Sequence, residues 1–517
     1  MPGPTKTSAQ WITAHSTRSA NMIAFRDDSV SITYLDLHAQ VQALAAGFRG
    51  LGVGKGDVVA AQLPNGLEFI LCYLATSRLG AVLQPIHMPY RAAEIEPLLR
   101  HGQAKAIVCL SQAKDYSPAE LALSLQESLP HLEVVIAVGD GAPQRAIPFE
   151  RLRRGSATSP EVDVTPEDDF VLLYTSGTTA SPKGIRVGYS RFLANAEACA
   201  SELGLKSASV LLSAAPFSHL YGLLTVNLTI VTGASSVGLA TFTPEALAAA
   251  LDAHRPTAVF VAPAHIASCL SLGLLTPERL ASLEFVMISG STCPPELASD
   301  LQALMPNGKV CQLWGMSELQ VGAFTRPTDP VAVRLASVGR ASPGTELRVT
   351  EDGALAPAGV EGELQVRGIS VFESYLDNPA ASAEAFTPDG WFKTGDLAKL
   401  SVEGDVRLTG RLKDLINRGG VKFNPTDVEA VIDRHPSVAV SAIVPMPDPV
   451  LGERACCFVV LTPGGSVHLE DLQAWLATHQ VAKNRWPERL DIIAEMPMTP
   501  TRKIKKAELA RLVVQLK

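Results

Sequence analysis

The sequence lacks an excess of positive charge, because its 44 Lys and Arg residues are outnumbered by 52 Asp and Glu residues. The resulting net charge of −8 argues against a nucleic-acid partner, which normally meets a basic face. Its eight cysteines show no C-x-x-C spacing, so they do not predict a zinc or dithiol site. Aromatic residues are sparse at 6%, whereas hydrophobic residues reach 47%, enough for the large core of a globular protein.

Long apolar runs are also scarce. Residues 1–16 are polar and contain no apolar core, so we expect no signal peptide and a cytoplasmic location, where unpaired thiols persist. Residues 207–244 carry no Asp, Glu, Lys or Arg, but Pro216 and Asn227 interrupt them. This stretch therefore predicts a buried helix followed by a buried strand, and no membrane span.

Short β-branched or apolar runs alternate with helical segments through most of the chain. Strands are predicted at residues 106–110, 132–138, 258–262 and 284–288, and helices at 118–129 and 244–254. This alternation is typical of an α/β protein with largely parallel, buried strands. After about residue 340, Gly- and charge-rich short strands predict a small β-barrel or sheet.

A domain boundary is predicted near residues 410–414. We expect a large N-terminal domain, residues 1–411, of parallel-rich sheets flanked by helices plus the small β-barrel. Residues 412–517 are expected to form a small, mobile C-terminal α+β domain. Adjacent Cys456 and Cys457 are expected in the core of a strand of that domain rather than as metal ligands.

The strongest local motif is YTSGTTASPKG, residues 174–184, which follows a short apolar run. Such a loop suits polyphosphate binding, because hydroxyls and backbone N–H groups donate to phosphate oxygens and a lysine adds positive charge. It is not a Walker A loop, because G-x-x-x-x-G-K-[ST] cannot be threaded through it, and a flexible Ser/Thr turn is the alternative. The candidate phosphate-binding residues are Thr175, Ser176, Gly177, Thr178, Thr179 and Lys183.

This segment closely resembles the signature T-S-G-T-T-G-x-P-K-G of the adenylate-forming superfamily: acyl-CoA synthetases, adenylation domains of nonribosomal peptide synthetases, and luciferases. Ala180 stands where the family has glycine. If that position requires a positive φ, alanine costs about 1 kcal/mol there. Further motifs follow in the family's order across almost the whole chain, which is most similar to an acyl-CoA synthetase.

Residues 312–318, QLWGMSE, resemble the family's Y-G-x-T-E segment. There an aromatic ring packs on adenine, a hydroxyl contacts phosphate and a glutamate holds Mg²⁺. The resemblance gives these roles to Trp314, Ser317 and Glu318, whose ring, hydroxyl and hard oxygen suit them. Taken alone, Glu318 would be a solvated surface carboxylate. The nucleotide-contacting candidates of this segment are Gln312, Trp314, Gly315, Met316 and Ser317.

Two more motifs concern the nucleotide. Residues 391–396 resemble W-x-x-T-G-D, which places the ribose-binding carboxylate at Asp396. Residues 410–414 resemble G-R-x-K-D, which places Arg411 on the ribose or phosphates and Lys413 at the hinge between domains. Isolated charges of this kind would most often be surface residues. A segment similar to the family's adenine-pocket lining, which a tight turn explains equally well, comprises Gly290, Ser291 and Thr292.

Residues 497–505 resemble P-x-T-x-x-G-K-I, which places the family's catalytic lysine at Lys503. In the family this ammonium group bridges the carboxylate and the α-phosphate, and it offsets the charge that grows in the transition state. Arg502 replaces the family's glycine. A basic stretch lying against solvent is the alternative, and spacing alone does not exclude Lys505 or Lys506 as the acting lysine.

The acyl site is assigned by residues 216–222, which resemble the P-x-x-H-x-x-G segment beside the family's acyl pocket. His219 is either a gate or carboxylate-side residue, or a packed core histidine. No aspartate suited to an α-amino group occurs in the expected pocket segments, so a hydrophobic acid is predicted. The resemblance to acyl-CoA synthetases implies that Gly419 and Gly420 lie where a swung C-terminal domain would meet the pantetheine chain of CoA, although a glycine turn explains them equally well.

The resemblance implies an AMP-forming acid–thiol ligase. It would use ATP and Mg²⁺ to convert a hydrophobic carboxylic acid to an acyl-adenylate with release of pyrophosphate, and then form the CoA thioester. One alternative is an acyl-AMP ligase that passes the acyl group to a carrier protein or a separate enzyme. The other is a catalytically silent nucleotide-binding sensor of the same fold.

Overall fold

The computed structural model describes residues 6–155, 158–160, 162–165, 167–175, 183–499 and 503–515. The chain divides into two compact units. The first combines Met1–Glu346 with Arg367–Phe386, and the second combines Leu347–Val366 with Thr387–Lys517. The predicted domain boundary at residues 411 and 412 stays a prediction.

The first unit alternates strands and helices, as the sequence predicted. Its helices are α1 (Ser8–Arg18), α2 (Tyr34–Gly50), α3 (Leu67–Leu79), α4 (Ala92–Gly102), α5 (Pro118–Leu125), α6 (Phe149–Arg153), α7 (Tyr189–Glu202), α8 (Leu220–Thr232), α9 (Pro244–His254), α10 (Pro263–Ser271), α11 (Pro277–Leu280), α12 (Pro295–Leu304), α13 (Val331–Ala336) and α14 (Pro379–Ala385). Its strands are β1 (Ile23–Arg26), β2 (Ser31–Thr33), β3 (Val58–Gln62), β4 (Val82–Pro85), β5 (Ala104–Leu110), β6 (Val134–Val138), β7 (Ile147–Pro148), β8 (Asp169–Tyr174), β9 (Gly184–Gly188), β10 (Val210–Ser213), β11 (Ser235–Val237), β12 (Ala258–Val261), β13 (Phe285–Ile288), β14 (Lys309–Met316), β15 (Gln320–Phe324) and β16 (Arg340–Ala341).

These strands form two large sheets. The nine-stranded sheet has the order β16-β15-β14-β13-β12-β10-β11-β1-β2, and the seven-stranded sheet has the order β7-β6-β5-β3-β4-β8-β9. Their inner strands pair in parallel, for example β12 with β13 and β3 with β5. Strands β3, β12 and β13 are buried along their whole length, and β5 at five of its seven residues. Parallel strands with covered faces read as continuous apolar runs, which is why the sequence pattern predicted them. The predicted α/β class with parallel-rich sheets is confirmed.

The second unit is built from antiparallel and mixed sheets. Its elements are β17 (Thr345–Glu351), β18 (Ala354–Leu355), β19 (Glu361–Gly368), β20 (Phe392–Leu400), β21 (Val406–Arg411), a 3₁₀ turn (Leu412–Asp414), β22 (Ile416–Arg418), β23 (Val421–Phe423), α15 (Pro425–Ile432), β24 (Val438–Asp448), β25 (Gly452–Leu461), α16 (Leu469–Thr478), a 3₁₀ turn (Lys483–Arg485), β26 (Arg489–Ile492) and α17 (Lys506–Gln515). The β-structure predicted after residue 340 is a five-stranded sheet, β18-β17-β19-β20-β21, with edge strands β18 and β21 rather than a closed barrel.

Strands β24, of 11 residues, and β25, of 10 residues, pair in antiparallel fashion, and apolar clusters cover both of their faces. Cys456 and Cys457 lie fully buried on opposite faces of β25, as predicted for core residues of a strand. All eight cysteines are buried thiols. Within the described part of the chain, no helix has both the length and the apolar composition required to cross a membrane.

Candidate active site

The phosphate-loop motif begins where β8 ends and finishes where β9 begins. The backbone N–H of Thr175 donates to the carbonyl of Lys183 at 3.1 Å, so the two ends of the loop are joined. Lys183 is half-buried, and its Nζ lies 4.5 Å from the ring centroid of Tyr375. The other predicted loop residues lie outside the described residues: Ser176, Gly177, Thr178 and Thr179, together with Ala180.

The turn between β14 and β15 carries Glu318. Gly315 approaches this turn so closely that a Cβ there would lie 1.9 Å from the carbonyl oxygen of Gln320, so only glycine fits. The Trp314 ring packs over Gly322, whose added Cβ would lie 2.4 Å from a ring carbon, and only 5% of Trp314 is exposed. Two glycines therefore allow the β14–β15 hairpin to close around the indole and to present the turn that bears Glu318.

Glu318 is half-buried and has a defined partner. The hydroxyl of Tyr375 donates to its Oε1 at 3.1 Å, and the backbone N–H of Phe372 donates to its carbonyl at 2.7 Å. Burial of the tyrosine and the neighbouring carboxylate both raise the pKa of the Tyr375 hydroxyl, so it remains a donor. Tyr375 thus lies between a cation, Lys183, and an anion, Glu318.

The remaining candidates in this segment differ in exposure. The Gln312 side chain is buried, and its amide donates to the carbonyls of Arg334 and Leu335, each at 3.1 Å, so it anchors α13 to β14. Met316 and Ser317 are half-buried at the end of β14 and in the turn that follows. The predicted nucleotide contacts of these three residues stay predictions.

The adenine-pocket candidates follow β13. Gly290 has φ +97°, a left-handed conformation that favours glycine, and it ends the strand with a sharp turn. Ser291 and Thr292 are exposed directly after it, whereas Cys293 returns to the core. The geometry therefore includes the tight turn that was the alternative explanation for this segment.

His219 is the N-cap of α8. Its Nδ1 accepts the backbone N–H of Tyr221 at 3.2 Å, so in the neutral ring the proton is on Nε2. Gly222 allows the helix to begin here, because a Cβ at that position would lie 2.1 Å from the Pro216 carbonyl oxygen. Each fixed residue of the motif P-x-x-H-x-x-G thus has a local structural role. Pro216 accepts the backbone N–H of His219 in the turn, His219 caps the helix, and Gly222 permits the close approach to Pro216.

In the second unit, Asp396 on β20 and Arg411 on β21 face each other. Nε of Arg411 lies 2.9 Å from Oδ1 of Asp396, and the aspartate side chain is only 8% exposed. The backbone N–H of Asp396 donates to Oγ1 of Thr394, and Gly395 takes a positive φ of +70°. The structure thus brings together Asp396, predicted to bind the ribose, and Arg411, predicted to bind the ribose or the phosphates.

The hinge and CoA candidates lie close together in sequence. Lys413 is exposed in the 3₁₀ turn that follows β21. Gly419 and Gly420 form the exposed turn between β22 and β23 with φ of +61° and +89°, and the N–H of Gly420 donates to the side chain of Asn417. A glycine turn is therefore present, and a role in binding CoA stays a prediction.

The three candidate lysines near the C-terminus differ in their surroundings. Lys503 is half-buried and is hydrogen-bonded twice to Thr499: each backbone N–H donates to an oxygen of the other residue, at 2.8 and 3.0 Å. Nζ of Lys506 lies 2.7 Å from the buried carboxylate of Glu429. Lys505 is exposed and lies 3.6 Å from Glu508. Lys506 is therefore committed to the core of its own unit.

Sequence reasoning missed two residues that contact the candidates. Tyr375 contacts both Lys183 and Glu318. Nδ1 of His87 is hydrogen-bonded to Oγ of Ser218 at 2.9 Å, and the centroid of its ring lies 6.2 Å from that of the His219 ring. Burial of the His87 ring lowers its pKa to about 4, so the ring is neutral at physiological pH. Both contacts join residues far apart in the sequence, and no local pattern indicates them.

The fold and these motifs are those of an enzyme that binds a nucleotide. The chain belongs to the AMP-binding enzyme family: the model of that family matches residues 12–376, and that of the AMP-binding enzyme C-terminal domain matches residues 427–503. The resemblance to the adenylate-forming superfamily, and to its acyl-CoA synthetases, is thereby confirmed.

Similar proteins include named CoA ligases and a structure with bound ATP. The medium-chain fatty-acid–CoA ligase of Escherichia coli strain K12 is 33% identical over 481 residues, which cover 92% of this chain and 85% of that protein. The 2-hydroxy-7-methoxy-5-methyl-1-naphthoate–CoA ligase of Streptomyces carzinostaticus is 32% identical over 500 residues, with coverage of 93% and 89%. The crystal structure of ATP-bound MatB from Rhodopseudomonas palustris superposes with a TM-score of 0.89 at 25% identity, covering 99% of this chain and 100% of that one.

These findings also confirm the predicted class of activity. The protein is an acid–thiol ligase that activates a carboxylic acid with ATP as an acyl-adenylate, before the acyl group passes to a thiol.

Proposed function

We propose that the protein is a cytoplasmic acyl-CoA synthetase that acts on a hydrophobic carboxylic acid. The observation that supports this proposal is the arrangement around Tyr375, which contacts both Lys183, the proposed phosphate-binding lysine, and Glu318, the proposed Mg²⁺ ligand. The eight unpaired, buried thiols suit a reducing compartment.

In the first half reaction, a carboxylate oxygen attacks the α-phosphorus of ATP, and the bond to pyrophosphate breaks. Lys183 and the hydroxyl-rich loop would hold the departing phosphates, and Asp396 with Arg411 would hold the ribose. Lys503 would place its ammonium group between the attacking oxygen and the α-phosphate, where negative charge grows. Lys506 is the weaker candidate for this task, because its ammonium group is paired with Glu429.

Glu318 fits the Mg²⁺ that this reaction requires. Mg²⁺ at nucleotide sites is usually held by one or two carboxylates together with phosphate oxygens, rather than by a cage of protein ligands. Glu318 is a single half-buried carboxylate, and the described residues contain no group of three or more His, Cys, Asp or Glu side chains arranged for a metal. When bound, the ion would supply Lewis-acid stabilisation of the phosphate charge.

The acid is proposed to be apolar because the segment that carries His219 is apolar. Helix α8 is buried along nearly all its length, and residues 207–244 contain no Asp, Glu, Lys or Arg. The similar proteins named for a medium-chain fatty acid and for a naphthoate both act on hydrophobic acids. An acid with a second charged group would therefore be a poor substrate.

In the second half reaction, the thiolate of CoA attacks the acyl carbon and AMP leaves. We propose that residues 412–517 turn about Lys413 between the two steps, so that Gly419 and Gly420 replace Lys503 beside the nucleotide. Two glycines with positive φ leave no side chain on the exposed turn, which would let a thin pantetheine chain pass along the backbone.

The test is a screen for acid-dependent exchange of labelled pyrophosphate into ATP with straight-chain, alicyclic and aryl acids. We expect exchange with one hydrophobic class, and formation of the CoA thioester when CoA is added. Exchange without a CoA product, but with acylation of a carrier protein, would replace CoA by that acceptor. Tight ATP binding without exchange across the panel would overturn the proposal in favour of a nucleotide sensor.

A further inference from the structure

Residues 371–376 connect two parts of the first unit that carry separate motifs. The backbone N–H of Phe372 donates to the carbonyl of Glu318 at 2.7 Å, and that of Leu376 donates to the carbonyl of Gly184 at 2.8 Å. The segment is therefore hydrogen-bonded both to the turn that bears Glu318 and to the strand that follows the phosphate loop.

Tyr375 lies within this segment and is 7% exposed. It forms an isolated antiparallel bridge with Ile185, which fixes its backbone beside β9. Its hydroxyl donates to Oε1 of Glu318 at 3.1 Å, and its ring lies 4.5 Å from Nζ of Lys183, within the range of a cation–π contact. One side chain thus contacts the cation through its ring and the anion through its hydroxyl.

The hydrogen bond to Glu318 restricts the carboxylate. A tyrosine O–H occupies part of one oxygen and leaves the carboxylate with further acceptor positions for a hard cation. Carboxylates that bind metals are themselves usually hydrogen-bonded, and loss of such a partner typically lowers metal affinity or activity by about 10–100-fold. The backbone bond to the Glu318 carbonyl would keep the turn in place if the hydroxyl were removed.

We propose that Tyr375 is a positioning residue that holds Glu318 and Lys183 at a set separation for the Mg²⁺-bound polyphosphate. This rests on the proposed function, because it needs Glu318 to meet the metal and Lys183 to meet the phosphates. The tyrosine itself need not touch the substrate; its hydroxyl acts through Glu318 and its ring acts through Lys183.

Binding of a non-hydrolysable ATP analogue, measured with and without Mg²⁺, separates the two contacts. For the wild type we expect Mg²⁺ to tighten binding. Tyr375→Phe keeps the ring, so Mg²⁺-free binding should stay within about threefold, whereas the gain from Mg²⁺ should fall by about 10-fold or more. Tyr375→Leu also removes the ring, so it should weaken Mg²⁺-free binding as well.

Coupling to Glu318 gives the decisive comparison. In a Glu318→Gln background, Tyr375→Phe should cause no further loss of the Mg²⁺ gain, because the group that it positions is already altered. A full additional loss in that background would overturn the proposal, since Tyr375 would then act on the nucleotide independently of Glu318. An unchanged Mg²⁺ gain in Tyr375→Phe alone would overturn it too.

Tyr189→Phe is the matched control. Its hydroxyl donates to the Ser77 carbonyl at 3.2 Å, so the variant removes a buried tyrosine hydroxyl from the same unit. It should lower thermal stability and leave the Mg²⁺ gain unchanged; an equal loss of the gain would reduce Tyr375 to a general packing role. Pyrophosphate exchange by the wild type runs in parallel, so that absence of exchange counts against the proposed function, while the binding data decide on Tyr375.

Discussion

Arg411 approaches Asp396 side-on across the β20–β21 pair, with its Nε 2.9 Å from the aspartate Oδ1. The aspartate is nearly enclosed, whereas the arginine side chain is 43% exposed. Arg411 therefore orients the carboxylate of Asp396 and stabilises its negative charge, because a buried charge without a partner is strongly destabilising. A ribose that arrives with two hydroxyl donors would meet a carboxylate already held in place.

The first prediction concerns Asp396→Asn. The amide can accept at only one atom and loses the charge, so one or two charged hydrogen bonds of about 1.5–3 kcal/mol each are weakened. We expect KM for ATP in the exchange assay to rise by roughly 10–100-fold, with a smaller change in kcat because the ribose is remote from the reacting atoms.

Arg411→Lys serves as the comparison for Asp396→Asn. It keeps the positive charge beside the aspartate but loses the planar group that lies against Oδ1. Its effect on KM should be in the same direction and smaller. An unchanged KM for ATP in Asp396→Asn would remove this pair from the nucleotide site.

The second prediction concerns Glu318→Ala. Removal of the carboxylate should raise the Mg²⁺ concentration needed for half-maximal exchange and slow adenylation about 100-fold or more, because charge on the phosphates is then less well offset. The measurement is a Mg²⁺ titration of pyrophosphate exchange at saturating ATP. Glu373→Ala is the control, since this exposed glutamate lies in the same region and pairs with Arg191. Identical titrations for the two variants would exclude Glu318 from the metal site.

Much of the fold was predictable because local patterns determine it. Helix α9 begins and ends at the predicted residues, since Thr243 caps it and Pro244 occupies its first turn. The uncharged residues 207–244 form the buried helix α8 and then the buried strand β11, as expected, but strand β10 precedes the helix and was not predicted. Helix α5 is shorter than predicted: it ends at Leu125 rather than at residue 129, because the apolar pattern continues into a turn.

The candidate site was predictable only where a motif is continuous in the sequence. The contact of Tyr375 with Glu318 joins residues 57 apart, and that of His87 with Ser218 joins residues 131 apart. Such contacts depend on which strands become neighbours in a sheet, and neither tyrosine nor histidine carries a local pattern that reveals its partner. The motifs therefore located the groups that could meet the substrate, and the structure located those that hold them.

The third prediction uses His87, whose pKa burial lowers to about 4 from an ordinary value of about 6.5. Between these values the unfolded chain binds a proton that the folded chain does not, so the free energy of unfolding falls as the pH falls. His87→Asn removes this contribution. From pH 7 to pH 5, the variant should therefore lose less stability than the wild type, by about 1–2 kcal/mol after allowance for the partial exposure of the residue.

Chemical denaturation at pH 7 and pH 5, followed by a probe of the first unit, measures this difference. The free energy of unfolding of His87→Asn, relative to that of the wild type, should rise as the pH falls. His15 and His38 also have lowered pKa values and are present in both proteins, so both should still lose stability in acid. Parallel losses in the two proteins would contradict the account given for His87.

The last prediction separates the lysines near the C-terminus. Lys503→Ala should slow adenylation by about 100-fold or more, because the ammonium group proposed to lie between the carboxylate and the α-phosphate is then missing. Formation of the thioester from preformed acyl-adenylate and CoA should be nearly unchanged if that step uses a different face of the C-terminal region, as proposed. Equal losses in both half reactions would contradict this division of labour.

Lys506→Ala should behave differently, because its ammonium group stabilises the second unit rather than the substrate. The ion pair with Glu429 is 22% and 12% exposed at its two side chains, and Glu429 also accepts the backbone N–H of Ile443. Loss of the lysine would leave a mostly buried carboxylate without its cation, which should cost roughly 1–3 kcal/mol of stability, between the values for exposed and for fully buried pairs. Lys506→Met, which keeps the length of the side chain without its charge, should be similarly destabilised. Both Lys506 variants should keep the ratio of the adenylation rate to the thioester-forming rate. Lys503→Ala should change that ratio by the same factor as it slows adenylation. A changed ratio in Lys506→Met would move the catalytic assignment from Lys503 to Lys506.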